Sequence, residues 1–196
     1  MSEFVLNEAN IQAVTKIAVE AGNKILEIYD KDFAIYDKSD SSPLTEADLA
    51  AHHHIVDALE ALCDLPILSE ESSDITWDER KTWTRYWLVD PLDGTKEFIK
   101  KNGEFTVNIA LIEYGQPTFG VVHAPVLEKT YVGVKSSGAY MIEKGEKRSI
   151  KASPHKAGEA WKVVGSRSHQ SPEINKIMDA LDGEKELVAM GSSLKL

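Results

Sequence analysis

The chain has 196 residues, 42% hydrophobic and 28% charged, so it can bury the core of one large or two small domains and is neither disordered nor fibrous. Its 22 basic and 32 acidic residues give a formal net charge of −10, which argues against a surface that coats nucleic acid. The single cysteine excludes an internal disulfide and fits a reducing compartment, and because Cys63 ends an apolar helix pattern we expect a buried structural thiol.

The N-terminus lacks a basic region followed by an apolar core. No apolar run approaches the roughly 20 residues that a membrane span needs. We therefore expect no signal peptide, no membrane span and a cytoplasmic location, with peripheral association at the inner membrane face left open.

Two amphipathic helices are predicted first. Asn7 can cap the first helix, and apolar residues follow at helical spacing from Ile11 to Ile28. After a polar loop over 37–43, Thr45 and Asp48 resemble a capping box that opens the second helix. We expect the inward face of this helix to carry Leu49, Ile55, Val56, Leu59 and Leu62.

A largely antiparallel sheet is predicted in the middle of the chain. A short apolar strand ends at Leu68, a polar stretch over 72–84 is expected to be mobile, and a second apolar strand runs over 87–89. Apolar and polar residues alternate from Phe105 to Leu111, which is the period of a strand. Tight turns then separate further predicted strands at 118–123, 130–134, 138–142 and 147–150.

A second, smaller α/β portion is predicted after residue 150. It has a strand over 161–165, a helix over 172–181 and a strand over 186–190. Helices at the front and strands in the middle indicate a layered α+β architecture, divided into portions 1–150 and 151–196.

The segment WLVDPLDGTKEF carries the strongest functional signal. Pro91 biases Asp90 toward extended geometry, so Asp90 is predicted to end a strand. Asp93 follows, and Gly94 then permits a tight turn in which the N–H groups of a following helical turn, beginning at Thr95, can face an anion.

A second strand end supplies further carboxylates, in the run Ser69-Glu70-Glu71. Two carboxylates about 5 Å apart repel by roughly 3 kcal/mol at an effective dielectric near 20, so gathering three destabilises a fold unless a cation offsets them. Hard divalent cations take oxygen ligands, which favours one shared metal–phosphate site. The alternative is that these acids are solvated strand ends and a turn, for which Asp-Gly is a common signal.

In this order the motifs resemble the inositol monophosphatase superfamily of magnesium-dependent, lithium-sensitive phosphatases. The matching segments are Thr-Glu-Ala-Asp ending at Asp48, the Ser-Glu-Glu turn, the central motif, Gly-Ser-Arg-Ser-His ending at His169, and Gly-Ser-Ser-Leu-Lys ending at Lys195. Lys96-Glu97-Phe98 resembles the 3'(2'),5'-bisphosphate nucleotidase branch, whereas the inositol branch more often continues Thr-Asn-Phe. The resemblance implies an alternating αβαβα sandwich.

The resemblance also implies the metal ligands. Glu70, Asp90 and Asp93 match the carboxylate ligands of Mg²⁺, with two or three ions expected and the backbone carbonyl of Leu92 as a further ligand. Lithium is expected to inhibit.

The catalytic and phosphate-binding residues follow from the same resemblance. Thr95 matches the residue that orients the attacking water, and Asp48 matches the carboxylate that accepts its proton, although helix capping alone remains an alternative for Asp48. The phosphate would rest on the N–H groups of Gly94 and Thr95, with Glu70 and Asp93 beside the substrate.

Substrate choice is assigned by resemblance to the second portion. His169 matches the residue that contacts the nucleotide, and Ser192 and Lys195 match the pattern that holds its other phosphate or base. Without the resemblance, such a His and Lys are ordinary surface residues. A hydrogen-bonding imidazole and a point-charge ammonium are suitable partners for a second phosphate.

Two other patterns carry weaker hypotheses. His52-His53-His54 resembles a metal cluster, but successive helical residues point in different directions, so a solvated or half-buried helix face is favoured. Ser192 and Lys195 also fit an S-x-x-K pattern, but the partner boxes of penicillin-interacting enzymes are absent.

Members of the superfamily continue past the Gly-Ser-Ser-Leu-Lys segment to a Trp-Asp motif whose aspartate completes a metal site, whereas this sequence stops at Leu196. We expect the chain as given to be weakly active or inactive, with a homodimer through an uncovered apolar surface as an open alternative.

The leading functional hypothesis is hydrolysis of the 3'-phosphate of adenosine 3',5'-bisphosphate to AMP, which by resemblance would clear a by-product of sulfate activation. The alternatives are an inositol-1-phosphate phosphatase and a catalytically impaired phosphonucleotide-binding module.

Overall fold

Two long helices precede a large sheet and a smaller β–α–β unit. The computed structural model describes residues 4–31, 43–72, 75–156, 158–167 and 172–195. In chain order its elements are α1 (Glu8–Tyr29), α2 (Pro43–Leu62), β1 (Ile67–Ser69), α3 (Trp77–Arg80), β2 (Arg85–Asp93), α4 (Thr95–Ile99), β3 (Thr106–Glu113), β4 (Gln116–Ala124), β5 (Lys129–Val134), β6 (Gly138–Glu143), β7 (Glu146–Ile150), β8 (Trp161–Ser166), α5 (Pro172–Ala180), β9 (Lys185–Met190) and a 3-10 turn (Ser192–Lys195).

The large sheet has seven strands in the order β1 to β7. Strand β1 pairs with β2 in parallel, and every later neighbour is antiparallel, so the predicted, largely antiparallel sheet is confirmed. Strands β8 and β9 pair in parallel with α5 as the connection between them. Parallel neighbours need such a crossover because a tight hairpin can only join antiparallel strands.

Helices α1 and α2 cover one face of the sheet. The Asn7 side chain caps α1 by accepting a hydrogen bond of 2.9 Å from the Asn10 N–H, as predicted. One apolar cluster joins the stripes of both helices to the inward residues of the strands, where Trp87, Val89, Ile109 and Leu111 are at most 2% exposed. Burying each large side chain of this kind contributes about 1.5–3 kcal/mol, so this layer holds the sheet rigid.

Two predictions about α2 are wrong. Ala47, Ala51, Ile55 and Leu59 are fully buried and recur every four residues, whereas Leu49 is 38% exposed. Leu49 lies two residues from the stripe, which turns its side chain about 200° away from the core.

The second helix also begins at Pro43, so Thr45 lies inside it and is not its cap. Proline is favoured at a first helical position because its fixed φ suits the helix and the N–H that it lacks would have no partner there.

Two further boundaries differ from prediction. Within the polar stretch over 72–84, residues 77–80 form α3, which is capped by the Thr76 hydroxyl at 3.3 Å from the Glu79 N–H. The strand predicted to end at Asp90 continues to Asp93, with a shift of register between them. Such a shift lets a proline lie in a strand without interrupting its pairing.

Cys63 is a buried free thiol, as predicted, and its sulfur accepts a hydrogen bond from the Trp87 indole N–H at 3.4 Å. Within the described part of the chain, no helix combines the length and apolar character needed to cross a bilayer.

Helix α1 lies close to the sheet at Gly22. A Cβ atom at Gly22 would lie 2.6 Å from Cδ2 of His123 on β4, so any larger residue would push the helix away. His123 is 5% exposed, and its Nδ1 lies 2.9 Å from the Thr130 hydroxyl. Burial lowers the pKa of His123 to about 4. His123 lines a cavity together with Glu128 and Lys144.

His123 should make the protein less stable as the pH falls. Below the usual histidine pKa of ~6.5 the unfolded chain binds a proton that the folded protein refuses until about pH 4. The contribution of His123 to the free energy of unfolding is therefore fully present above pH 6.5. Between pH 6.5 and about pH 4 it decreases by up to ~1.4 kcal/mol per pH unit. We measure the free energy of unfolding with urea at pH 7.5 and at pH 5. Between these pH values it should fall by about 2 kcal/mol less in His123→Gln than in the wild type. An equal loss in both proteins would contradict this.

Candidate active site

The parallel pairing of β1 with β2 brings two acidic strand ends together. Ser69 is the register partner of Val89, so Glu70 and Asp90, the next residues, are neighbours. The Glu70 N–H donates to the Val89 carbonyl at 3.0 Å. Glu70 is exposed, but its carboxylate lies close enough to that of Asp90 to help raise the pKa of Asp90. Residues 20 apart in sequence are thereby in contact.

Asp93 lies on the same strand, after the register shift. Asp90 pairs with Asn108 of β3, and Asp93 pairs with Thr106. The Ser193 hydroxyl donates to Asp93 Oδ2 at 2.6 Å, and the Asn108 amide donates to the Ser193 hydroxyl at 3.1 Å. Ser193, three residues after the end of β9 in the smaller unit, thus contacts one of the predicted ligands.

Helix α2 supplies another carboxylate. Asp48 is half-buried, and its Oδ1 has no hydrogen-bond partner. Burial first, and then the charge of Glu71 and a hydrogen bond to it, raises the pKa of Asp48 to about 8, with smaller contributions from Asp90 and Glu70. Glu71 was not among the predicted site residues, although its place directly after Glu70 was a signal for it.

The pKa of Asp90 is raised for similar reasons. Burial, followed by the charges of Glu70 and Asp93, raises the pKa of Asp90 to about 7, and its Oδ1 also lacks a partner. Acidic groups from α2, β1 and β2 therefore crowd one another. Among the described residues, no group of three or more Asp, Glu, His or Cys side chains already has the arrangement of a metal site.

These residues nevertheless fit a hard divalent cation. Two buried carboxylate oxygens without partners and two carboxyl groups with raised pKa values are what a site of oxygen ligands presents when its charge is not balanced. A bound cation inverts this pattern because it favours the ionised forms.

The turn after Asp93 is fixed by glycine and by aromatic packing. Gly94 has a φ of 106°, which few other residues adopt, and it precedes α4. Phe98 of α4 packs against Tyr29 of α1 and Phe105, with ring centroids 5.2 and 5.5 Å apart. This cluster anchors the helical turn that begins at Thr95.

A cavity of about 260 Å³ opens at this turn. Its lining includes predicted site residues from both portions of the chain: Asp93, Gly94, Thr95, Ser192 and Lys195. Thr95 is exposed, the Ser192 hydroxyl lies 3.2 Å from the Thr106 hydroxyl, and the Lys195 ammonium donates to the Ser192 carbonyl. The Leu92 side chain is buried, and His169 lies outside the described residues.

A larger cavity of about 560 Å³ extends from Glu70 and Asp90 over the sheet face opposite the helices. Its floor is mostly apolar, with Leu68, Leu88 and Val122. Since charged and hydroxyl groups converge in the smaller cavity, we regard that one as the candidate phosphate site.

The outer two of the three consecutive histidines do not converge. His52 Nδ1 lies 2.8 Å from the Ser69 hydroxyl, whereas His54 Nε2 lies 3.4 Å from Glu20 of α1. The two imidazoles face different elements, as expected for residues two apart on a helix.

Comparison with known proteins identifies the family. The model of the inositol monophosphatase family matches residues 6–196. The chain belongs to the inositol monophosphatase family. Its expected α+β sandwich is confirmed by a solved member, CysQ from Bacteroides thetaiotaomicron, with a TM-score of 0.86 at 38% identity over 97% of this chain and 75% of that one. An inositol monophosphatase from Zymomonas mobilis gives a TM-score of 0.72 at 25% identity, over 98% of this chain and 72% of that one.

Curated family members have a more specific name. A protein of Escherichia coli (strain K12) named 3'(2'),5'-bisphosphate nucleotidase CysQ is 46% identical over 188 residues, which are 94% of this chain and 74% of that protein. The protein of the same name from Haemophilus influenzae is 32% identical over 97% of this chain and 71% of its own length. This family member thus spans about three quarters of the E. coli protein.

Replacing Gly94 should distort this turn. Gly94→Ala adds a Cβ at positive φ, 3.0 Å from the Ser192 Cβ and 3.1 Å from the Phe105 Cα. The matched control is Gly115→Ala, because Gly115 has a φ of +74° and no atom within 4 Å of such a Cβ. We expect the free energy of unfolding, measured with urea, to fall by ~1–2 kcal/mol in the control, because alanine is unfavourable at positive φ. It should fall further in Gly94→Ala, where the Cβ also meets neighbouring atoms. Equal losses would mean that the turn is not crowded.

Proposed function

We propose that this family member is a magnesium-dependent phosphatase that removes the 3'-phosphate of adenosine 3',5'-bisphosphate, giving AMP and phosphate. The observation that carries the proposal is the crowding of acidic groups from three elements beside a cavity lined by Thr95 and Lys195. The name of the E. coli relative supports the nucleotide substrate.

Glu70, Asp90 and Asp93, with the carbonyl oxygen of Leu92, would hold Mg²⁺. Carboxylate and carbonyl oxygens suit this cation, which keeps several waters and shares its coordination with substrate phosphate. Bound Mg²⁺ would offset the repulsion among the carboxylates and polarise the phosphoryl oxygens of the substrate. Two or three ions, and inhibition by lithium, are part of the proposal.

The remaining roles concern the attacking water and the phosphate. The exposed Thr95 hydroxyl would orient the attacking water, and Asp48 Oδ1, which has no partner, would accept its proton. The N–H groups of Gly94 and Thr95 would bind the phosphate that is transferred, with Glu70 and Asp93 beside it.

Lys195 and Ser192 would recognise the rest of the nucleotide. Both line the cavity that contains Thr95, so a substrate with two phosphates could bring its second phosphate to the Lys195 ammonium. His169 is proposed as a further nucleotide contact. We also propose a role in clearing a by-product of sulfate activation, a cytoplasmic location and, as an open alternative, a homodimer.

Asp90→Asn should make the metal-free protein more stable while weakening its response to metal. The change removes a half-buried charge that Glu70 and Asp93 repel, so we expect a gain of about 1–3 kcal/mol without metal. Mg²⁺ at 100 times its Kd should stabilise the wild type by ~2.7 kcal/mol and Asp90→Asn by much less.

Urea unfolding with and without Mg²⁺ measures both effects, and pH 8 is suitable because protons compete with the metal for carboxylates. The control is Asp64→Asn, an exposed aspartate that follows α2. A full response to Mg²⁺ in Asp90→Asn would remove Asp90 from the ligand set.

Phosphate release distinguishes the candidate activities. We expect weak release from adenosine 3',5'-bisphosphate in the presence of Mg²⁺, still less from inositol 1-phosphate, and none with a chelator. Lys195→Met should raise the KM for the nucleotide about tenfold, the equivalent of one charged hydrogen bond of roughly 1.5 kcal/mol. Lys100→Met, at an exposed lysine next to α4, is the matched control.

Faster hydrolysis of inositol 1-phosphate would favour the inositol phosphatase instead. Binding of the nucleotide without any release of phosphate would favour a binding module. An equal rise of KM in both lysine variants would show that Lys195 has no specific role.

A further inference from the structure

A bidentate ion pair links the smaller unit to the large sheet. Arg167, which follows β8, donates from Nε to Glu104 Oε2 at 2.8 Å and from Nη2 to Glu104 Oε1 at 2.7 Å. Arg167 Nη2 also donates to the carbonyl of Ala189 on β9 at 2.8 Å. The side chain of Glu104, which lies shortly before β3, is 18% exposed, so this carboxylate is largely enclosed. Paired hydrogen bonds of this kind fix orientation as well as distance.

The same carboxylate holds the turn after β9. The Gly191 N–H donates to Glu104 Oε2 at 2.8 Å. A Cβ atom at Gly191 would lie 2.5 Å from the Glu97 Cγ and 2.9 Å from the Glu104 carbonyl oxygen, so the chain can pass here only as glycine. Glu104 therefore binds both the end of β8 and the turn that leaves β9.

A residue just after Gly191 contacts a predicted metal ligand. Ser192 has a φ of 42°, which is uncommon for a residue other than glycine. Its neighbour Ser193 donates a 2.6 Å hydrogen bond to Asp93 Oδ2 and accepts one from Asn108. A continuous path of hydrogen bonds and backbone thus runs from Arg167 through Glu104 and Gly191 to Asp93.

We infer that Arg167, Glu104 and Ser193 are positioning residues that hold Asp93 in its metal-binding orientation. This inference rests on the proposed function because it requires Asp93 to be a metal ligand. A hydrogen bond to a ligating carboxylate fixes which of its oxygens faces the ion, and losing such a contact typically weakens metal binding by roughly 10- to 100-fold.

The test is the Kd for Mg²⁺, measured by titration calorimetry, which needs no enzymatic activity. Ser193→Ala should raise the Kd roughly tenfold. Glu104→Ala and Arg167→Met should raise it severalfold, and Glu104→Gln should recover part of the affinity because its amide oxygen can still accept from Gly191. The matched control is Glu113→Ala, which removes an ion pair of 2.8 Å with Arg85 at the far end of β3 and should leave the Kd unchanged.

A double variant separates positioning from a general loss of structure. If Glu104 acts through Ser193, adding Glu104→Ala to Ser193→Ala should change the Kd little beyond the single variant, because neighbours on one path are not additive. Independent effects that multiply, or a Kd unaltered by Ser193→Ala, would overturn the inference. If Glu104→Ala does not fold, judged by circular dichroism, Arg167→Met replaces it in the double variant. Failure of the wild type to bind Mg²⁺ would instead overturn the proposed function, and this inference with it.

Discussion

Repulsion among partly buried carboxylates is the constraint that the rest of this structure has to satisfy. Burial and neighbouring charges raise the pKa of both Asp48 and Asp90, which means that the fold holds them together against their own preference. The opposing free energy comes from the apolar layer between the helices and the sheet, where Trp87 and Phe98 are fully buried. Stability is given up at the site and supplied by the core, as is common where chemistry requires crowded charges.

Strand order explains how distant acids meet at one place. The parallel register of β1 and β2 sets Glu70 beside Asp90, and the antiparallel register of β3 places Asn108 opposite Asp90 on the other side. Strand β1 has only three residues at the edge of the sheet, and it ends beside β2 at that level. Glu70 can therefore remain exposed and still contact Asp90.

Local pattern was sufficient for most elements and for the motif that carries the site. Helix α1 follows from its apolar period and its Asn7 cap, and the turn after Asp93 follows from Gly94. The position of Leu49 was wrong because small alanines, which the apolar count passed over, line the buried stripe of α2. The contact of Glu104 with Arg167 spans 63 residues and depends on how the smaller unit meets the sheet, so no local pattern could indicate it.

The contact of Gly22 with His123 has an evolutionary consequence. With only 2.6 Å between a hypothetical Cβ at position 22 and the imidazole ring, a larger residue at position 22 has no room while His123 stays the same. A bulkier residue on α1 becomes acceptable once the residue on β4 has become smaller, and the reverse order of substitution passes through a crowded intermediate. Across diverging descendants of this chain the two sites should consequently drift as a correlated pair, with the small side chain free to change sides only when its counterpart allows it.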